Sequence, residues 1–260
     1  MTVWVKTKPS TLDIDIPHNT NFANAMYGFL ELGAIVEPYY KIEDIYDKVT
    51  REDIVIDYVD QCLYILSKFG VEPNLPDYPD VLTGFLGRKV WRDTINHIAS
   101  DEKLWSAGYF VKPIRQKAFT GRVINSIADL QGCGSCYEDY EVLVCEPLDM
   151  VAEWRCFIKY DEIIDVRPYG SVIEQGYVGY KYHYDTTVLM AMLNKFKTWE
   201  DRPNACSMDI CVTKTGETCL VEMNDAYALG CYGLPCLLYA KFISARWSQL
   251  LNRKDEFDFR

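Results

Sequence analysis

The sequence predicts an α/β protein composed of α+β lobes, and three observations support this class. Short apolar runs typical of strands alternate with amphipathic runs typical of helices in the first part of the chain. Two strand pairs separated by a helix follow in the second half. The chain has 260 residues and 49% hydrophobic content, which is enough to bury a sizeable core.

The N-terminal stretch predicts a first lobe over residues 1–80. Residues 3–5 and 54–56 are typical of strands, and the amphipathic run 21–32 is typical of a helix. Three prolines within residues 73–79 then break regular structure and mark a lobe boundary.

The rest of the chain predicts two further lobes, at residues 81–145 and 146–260. In the first of these we expect a helix over residues 90–104, followed by strands. In the second we expect two hairpins, one of them turning at Asp161-Glu162 and the other at residues 214–217. A helix over residues 186–199 separates the hairpins, and a last helix covers residues 234–251.

The composition argues against several classes of protein. The formal charge is −11, from 27 Lys and Arg against 38 Asp and Glu, so general nucleic-acid binding is not expected. No apolar run approaches the roughly 18 residues of a membrane span, and the first residues lack the pattern of a signal peptide. We therefore expect a cytoplasmic protein that does not bind membranes.

The ten cysteines are expected to be mostly free thiols in the core, because they lie largely in apolar, strand-like runs. Cys133 and Cys136 form the one close pair, and the three histidines are scattered along the chain. This spacing predicts no zinc site, and any role of the pair stays open.

The second predicted hairpin carries the most informative residues. A turn centred on Thr215-Gly216 would place Asp209 directly opposite Glu222, with Asn224 on the same face. Two opposed carboxylates repel each other unless a cation lies between them. Oxygen ligands of this kind suit Mg²⁺, which uses one or two carboxylates and completes its shell with phosphate and water. Solvated surface acids are the alternative.

Basic residues occur where a phosphate site would need them. Lys112 ends a predicted strand, and Arg115 and Lys117 follow within one loop. The first hairpin carries Arg155 and Arg167, which lie opposite each other in one register and on different faces in the next. The sequence does not determine this register.

The segment Glu146-Pro147-Leu148 follows a predicted strand that ends at Cys145, and it precedes the first hairpin. A break of this kind can present backbone N–H and C=O groups to the edge of an adenine ring. Phe110 or Met223 would then cover the faces of the ring; a plain linker is the alternative.

The ordered set of motifs resembles an ATP-grasp domain, and more narrowly the bacterial and phage clade named for one arginine and two lysines. The motifs that carry the resemblance are Lys112-Pro113, Phe119-Thr120-Gly121, Glu146, Glu153-Trp154-Arg155, Arg167, Asp209, Glu222-Met223-Asn224-Asp225 and Gly230-Cys231-Tyr232-Gly233. The resemblance covers residues 112–233, and the preceding α/β segment is similar to the N-terminal lobe of the family, called the pre-ATP-grasp lobe.

The resemblance implies a role for each group of residues. ATP would lie between two α+β lobes, with Lys112 on its phosphates and the Glu146 segment on its adenine. The residues Asp209, Glu222 and Asn224 would hold Mg²⁺, while Arg155 and Arg167 would face phosphate or the substrate carboxylate. Lys117 would be the second lysine of the clade, for which Lys103 and Lys159 are alternatives.

The implied reaction joins a carboxylate to an amine through an acylphosphate, with a small molecule, peptide or protein as substrate. The glycine-rich phosphate loop of many ATP-grasp enzymes has no counterpart before Gly121. A non-catalytic ATP-binding regulator and a phosphotransferase that uses the same ATP site are the alternatives. The sequence does not identify the substrates, the oligomeric state or the role of the tyrosines at positions 177–184.

Overall fold

The structure is a computed structural model that describes residues 1–10, 15–114, 118–134, 138–169 and 181–259. The chain divides into two compact units. The larger unit combines Met1–Phe85 with Val151–Arg260, and the smaller unit is Leu86–Met150. The α/β class is confirmed, whereas the division into three lobes at residues 80 and 145 stays a prediction.

The first sheet of the larger unit is built on β1 (Thr2–Pro9). This strand pairs in parallel with β3 (Ile35–Tyr39) and with β4 (Ile54–Ile56), and its end pairs antiparallel with β2 (Asp15–Pro17). All three residues of β4 are buried, as expected for a strand of a parallel sheet that is covered by helices.

Helices α1 (Thr20–Glu31) and α2 (Ile42–Tyr46) connect these strands, and α3 (Val59–Lys68) follows β4. Helix α1 begins at Asn19, whose side-chain oxygen accepts a hydrogen bond from the Phe22 N–H at 3.0 Å. These elements match the predicted α/β opening of the chain.

The second sheet of the larger unit has the strand order β10-β9-β11-β12. Its strands are β9 (Met150–Lys159), β10 (Glu162–Pro168), β11 (Ala205–Thr213) and β12 (Thr218–Asp225). Every residue of β11 is buried, which agrees with its central place in the sheet. The two predicted hairpins are confirmed and lie side by side, so that their central strands are neighbours.

Two helices of the larger unit follow the predicted pattern. Helix α6 (Thr186–Phe196) lies between the hairpins in sequence, and α7 (Cys236–Leu250) follows them. Helix α7 packs closely on α1 at Gly28, where an added Cβ atom would lie 2.0 Å from the Cys236 carbonyl oxygen. Only glycine therefore permits this helix contact.

The smaller unit contains an antiparallel sheet with the strand order β5-β8-β6-β7. Its strands are β5 (Val90–Thr94), β6 (Tyr109–Pro113), β7 (Arg122–Ile124) and β8 (Glu141–Cys145), and its helices are α4 (Ile95–Ser100) and α5 (Glu102–Trp105).

The helix predicted over residues 90–104 is wrong at its start, because Val90–Thr94 forms a strand paired with Glu141–Cys145. The helix begins only after Thr94, whose hydroxyl accepts a hydrogen bond from the His97 N–H at 3.3 Å. Short 3₁₀ turns cover Asp80–Phe85, Ile127–Leu130 and Ala226–Ala228.

None of the helices in the described ranges has the length and apolar content that crossing a lipid bilayer requires.

Candidate active site

The hairpin of β11 and β12 brings the three predicted metal-binding residues together. Asp209 and Glu222 are directly paired, which confirms the predicted register. Asn224, two residues further along β12, donates hydrogen bonds to Asp209 Oδ2 at 2.9 Å and to Glu222 Oε1 at 3.3 Å. Two carboxylates and one amide therefore share one face of the hairpin.

A one-residue bulge at Val221 produces this pairing. Leu220 pairs with Ile210, but the next pair is Glu222 with Asp209, so Val221 is the extra residue. A regular ladder running from the turn would have placed Val221 opposite Asp209. The predicted pairing is correct, but the turn alone does not cause it.

A second bulge sets the register of the first hairpin. Tyr160 and Asp161 form its two-residue turn, with φ angles of 48° and 67°, one residue earlier than predicted. The register then shifts at Ile164, so that Arg167 pairs directly with Arg155. Of the two registers that the sequence left open, the structure has the one that places the arginines opposite each other.

Arg155 of β9 forms a bidentate ion pair with Asp209 of the neighbouring strand. Its Nε and Nη2 atoms donate to the two carboxylate oxygens at 2.9 and 2.6 Å, and the side chains are 4% and 1% exposed. Burial raises the pKa of Asp209, and the hydrogen bonds from Arg155 oppose this shift. Burial lowers the pKa of Arg155, but the bonds to Asp209 outweigh it and the net shift is upward. The bidentate geometry, with two short hydrogen bonds, is that of a buried ion pair.

Hydrogen bonds from other protein groups occupy the carboxylate oxygens of Asp209. Besides the two bonds from Arg155, it accepts hydrogen bonds from Asn224 Nδ2 at 2.9 Å and from Ser207 Oγ at 3.3 Å. An ionised carboxylate has about four lone-pair sites, so a metal ion at Asp209 would have to replace one of these partners.

Two tyrosine rings cover the guanidinium group of Arg155. Its central carbon lies 4.2 Å from the ring centroid of Tyr232 and 5.2 Å from that of Tyr169. The rings stack with centroids 5.2 Å apart, and the Tyr232 hydroxyl donates to that of Tyr169 at 3.2 Å. Tyr232 has a φ of 46°, a left-handed conformation that is rare for a bulky residue. The arginine is thus held by the carboxylate and the rings together.

Arg167 has a different environment from Arg155 although the two residues are paired. Its Nε and Nη2 atoms donate to Asp165 Oδ2 at 2.8 and 2.5 Å, and its side chain is 34% exposed. Solvent reaches this ion pair, so Arg167 can exchange its partner at a lower cost than Arg155.

Glu153 is a residue that was predicted only as part of a motif, without a role of its own. It lies two residues before Arg155 on β9 and therefore on the same face. Burial, together with the charges of Asp209 and Glu222, raises the pKa of Glu153 to about 7. The period of two along β9 was the signal that could have identified it.

The predicted phosphate-binding lysine of the smaller unit lies on β6, where Lys112 pairs with Leu143 of β8. Gly121 packs against this strand, and an added Cβ atom would lie 2.8 Å from Phe110 Cζ and 2.9 Å from Lys112 Cβ. The glycine of the Phe-Thr-Gly motif therefore leaves room for the side chains of β6.

The predicted adenine-binding segment begins at the end of β8. Cys145 is buried and pairs with Phe110, and the Glu146 N–H donates to the Lys89 carbonyl at 3.0 Å. Glu146 Oε2 accepts from the Lys89 N–H at 2.9 Å. Within the described residues, the Glu146 carbonyl and the N–H of Leu148, after Pro147, have no hydrogen-bond partner. One acceptor and one donor thus remain available in this segment.

Several predicted residues are not among the groups described so far. Lys117 lies outside the described residues, as do Arg115, Cys136, Tyr177 and Tyr180. Met223 is 1% exposed and pairs with Met208, and the alternation along β12 directs it to the face opposite Glu222. Of the two alternatives to Lys117, Lys103 lies on α5 and Lys159 at the end of β9. Cys133 is a buried free thiol.

The donor set of the hairpin fits a hard divalent cation. Among the described residues, no group of three or more His, Cys, Asp or Glu side chains could hold a metal ion by itself. The hairpin offers two carboxylates and one amide oxygen, and Mg²⁺ commonly takes only one or two carboxylates beside phosphate and water. These residues therefore suit an ion that arrives with a polyphosphate.

Comparison with family models gives a match over residues 85–242 to the ATP-grasp domain of family 2 in the clade named for one arginine and two lysines. The matched range includes Lys112, Glu146, Arg155, Arg167, Asp209, Glu222 and Asn224. A search of curated proteins found no match.

Solved structures of three enzymes have a similar fold. N5-carboxyaminoimidazole synthetase from Staphylococcus aureus with ADP has a TM-score of 0.56 and 11% identity, covering 97% of this chain and 78% of that one. D-cycloserine synthetase has a TM-score of 0.54 and 11% sequence identity, and the match covers 96% of this chain and 99% of that one. D-alanine–D-alanine ligase from Bacillus anthracis with ATP has a TM-score of 0.53 and 13% sequence identity, and the match covers 97% of this chain and 98% of that one. At these identities the similarity establishes the fold, which is the predicted one.

Proposed function

Because this chain belongs to family 2 of the ATP-grasp clade named for one arginine and two lysines, we propose that it is an ATP- and Mg²⁺-dependent ligase that joins a carboxylate to an amine. The observation that supports this most is the cluster of Arg155, Asp209, Glu222 and Asn224 on one sheet face, inside the range that the family model matches. The products would be an amide, ADP and phosphate.

The proposed chemistry is attack of a substrate carboxylate on the γ-phosphate of ATP, followed by attack of the amine on the acylphosphate. Both reactants of the first step are anions, so the protein must supply positive charge and orientation. Lys112 and Lys117 are proposed to contact the nucleotide phosphates as point charges, and Arg167 offers a solvent-accessible fork for phosphate or carboxylate.

Asp209, Glu222 and Asn224 would hold Mg²⁺, which when bound would neutralise phosphate charge and align the terminal phosphate. Arg155 has a supporting role in this proposal, because its two bonds fix the Asp209 carboxylate and the tyrosine rings fix Arg155. No side-chain nucleophile takes part. The groups named here position the reactants and stabilise charge.

The segment Cys145-Glu146-Pro147-Leu148 is proposed to bind the adenine ring. Its available Glu146 carbonyl can accept from the exocyclic amine of adenine, and its Leu148 N–H can donate to a ring nitrogen. Phe110, adjacent to this segment on β6, is the proposed apolar cover. Met223, the other predicted cover, lies on the opposite face of β12 from Glu222.

An amino acid, peptide or protein is proposed as the substrate. A cytoplasmic location is part of the same proposal, because eight of the nine described cysteines are buried free thiols, as is common in reducing compartments. We further propose that the division at residues 80 and 145 separates an N-terminal lobe from two ATP-binding lobes.

An assay of ADP formation with pooled amino acids and short peptides tests the proposal. We expect ADP to form only with Mg²⁺ and a substrate pool, together with a product one water lighter than the sum of two pool members. A phosphorylated pool member without an amide would favour the phosphotransferase. ATP binding without turnover in any pool would favour the non-catalytic regulator.

A further inference from the structure

A cavity of about 100 Å³ lies in the larger unit, where β4 ends and α3 begins and beside the start of α1. The described residues that line it do not include any member of the Arg155 cluster. Its lining residues include the polar side chains of Asn19, Asn21, Asp57 and Tyr58. Tyr58 is 45% exposed, so this residue links the cavity to the surface.

Asp57 is the one acidic side chain among the described residues that line the cavity, and it is only 3% exposed. Its oxygens accept hydrogen bonds from the Tyr39 hydroxyl at 2.6 Å and the Tyr58 N–H at 2.7 Å, and both donors are neutral. Within the described part of the chain, no cationic side chain forms an ion pair with Asp57. Burial raises the pKa of this carboxyl, and the two hydrogen bonds and the more distant charge of Lys6, which is not ion-paired with Asp57, oppose the shift. A buried carboxylate in this setting is stabilised by a cation from outside the protein.

The other lining residues are mostly apolar and include Phe22, Val59 and Ile243. A cavity of roughly 150 Å³ accepts benzene, so about 100 Å³ limits an apolar group to about four heavy atoms. An anionic carboxylate at one side and a small apolar surface at the other suit a short alkyl group that carries a positive charge.

We propose that this cavity binds the amine substrate of the ligase, with the ammonium group at Asp57 and a short apolar substituent against Phe22, Val59 and Ile243. This assignment rests on the proposed function and names the substrate class, a small primary amine or an amino-terminal residue with a short side chain. An ammonium group offers three donors, and Asp57 accepts at least one of them.

One segment of the chain contributes residues both to the cavity and to the Arg155 cluster of the same unit. Residues 227–230 line the cavity, and Tyr232, two residues beyond Gly230, covers the Arg155 guanidinium at 4.2 Å. Asn21 of the cavity wall also accepts a hydrogen bond from the Cys231 N–H at 3.0 Å. One short segment therefore connects the proposed amine site to the proposed reaction site.

Titration with ethylammonium chloride, followed by ¹H–¹⁵N NMR without ATP, tests this assignment. We expect the amide signals of Tyr58 and Gly230 to shift in the wild type, and the affinity to fall at least about tenfold in Asp57→Asn. Asp47→Asn is the matched control, because it removes an exposed acid of the same unit and should leave binding unchanged. Sodium acetate should not shift these signals.

Equal affinity in Asp57→Asn, or shifts of the same signals by acetate, would overturn the assignment. Ala228→Val provides a second test that leaves the carboxylate intact, since Ala228 lines the cavity. This variant should weaken propylammonium binding more than methylammonium binding; equal effects would also overturn the assignment.

The two proposals fail in different ways. If the protein binds ethylammonium through Asp57 but never forms an amide, the cavity assignment stands and the ligase proposal fails. If the protein forms an amide and the KM for the amine is the same in wild type and Asp57→Asn, the ligase proposal stands and the cavity assignment fails.

Discussion

Arg155 donates two hydrogen bonds to Asp209 across neighbouring strands, and each side chain is at most 4% exposed. Asp209 is therefore a structural residue as well as a proposed metal ligand. The proposed metal-binding role can be tested separately at Glu222, which is paired with Asp209 across the hairpin.

We predict that Asp209→Asn lowers the free energy of unfolding by about 3–5 kcal/mol, because it leaves the buried charge of Arg155 without its counterion. Urea unfolding measures this change. The double variant Arg155→Met/Asp209→Leu should recover part of the loss, since it removes both charges. A loss below about 1 kcal/mol in Asp209→Asn would contradict the importance of the pair.

Glu222→Gln is the cleaner test of the proposed metal site. We predict that ADP formation falls at least about 100-fold at fixed Mg²⁺, while the unfolding midpoint stays close to that of the wild type. Glu217→Gln is the matched control, because it makes the same change in the exposed turn of the same hairpin. Similar activity in both variants would remove Glu222 from the site.

The residues of this site could be predicted from the sequence better than the contacts between them. The hairpin and the shared face of Glu222 and Asn224 follow from period-two alternation, which depends only on local residues, whereas the pairing of Asp209 with Glu222 also requires the bulge at Val221. The contact between Arg155 and Asp209 joins strands of two different hairpins, and no local pattern specifies which strands become neighbours. The bulges at Val221 and Ile164 likewise could not be predicted, because no glycine or other turn residue marks either position in the sequence.

The strand Val90–Thr94 shows the same limit in the fold. Its residues continue directly into a helix, so a single helical pattern covered both elements. These residues form a strand because they pair with Glu141–Cys145, about fifty residues later in the sequence. Local propensity carries no information about so distant a partner. The helices with clear caps, such as the one that begins after Asn19, were predicted to within a few residues.

Gly28→Ala should destabilise the larger unit although alanine usually favours helices. Its Cβ atom would lie 2.0 Å from the Cys236 carbonyl oxygen, so α1 and α7 would have to separate. We expect a loss of about 3 kcal/mol in urea unfolding. Gly84→Ala is the control, since its added Cβ atom would meet nothing within 4 Å, and its change should stay within about 1 kcal/mol.

Gly121→Ala tests the proposed role of Lys112 without changing that lysine. The new methyl group would displace Phe110 or Lys112 on β6, and we expect the Kd for ATP to rise about tenfold or more by calorimetry. Val123→Ala changes an exposed side chain nearby and should leave the Kd unchanged. An unaltered Kd in Gly121→Ala would argue against a contact between Lys112 and the nucleotide.

The fate of carboxylate oxygen tests the central claim most directly. The enzyme is incubated with ATP, Mg²⁺ and a substrate pool whose carboxylates carry ¹⁸O, and the released phosphate is analysed by mass spectrometry. Activation through an acylphosphate predicts one ¹⁸O atom in each phosphate that accompanies an amide. Phosphate without ¹⁸O, released while ADP forms, would contradict the account.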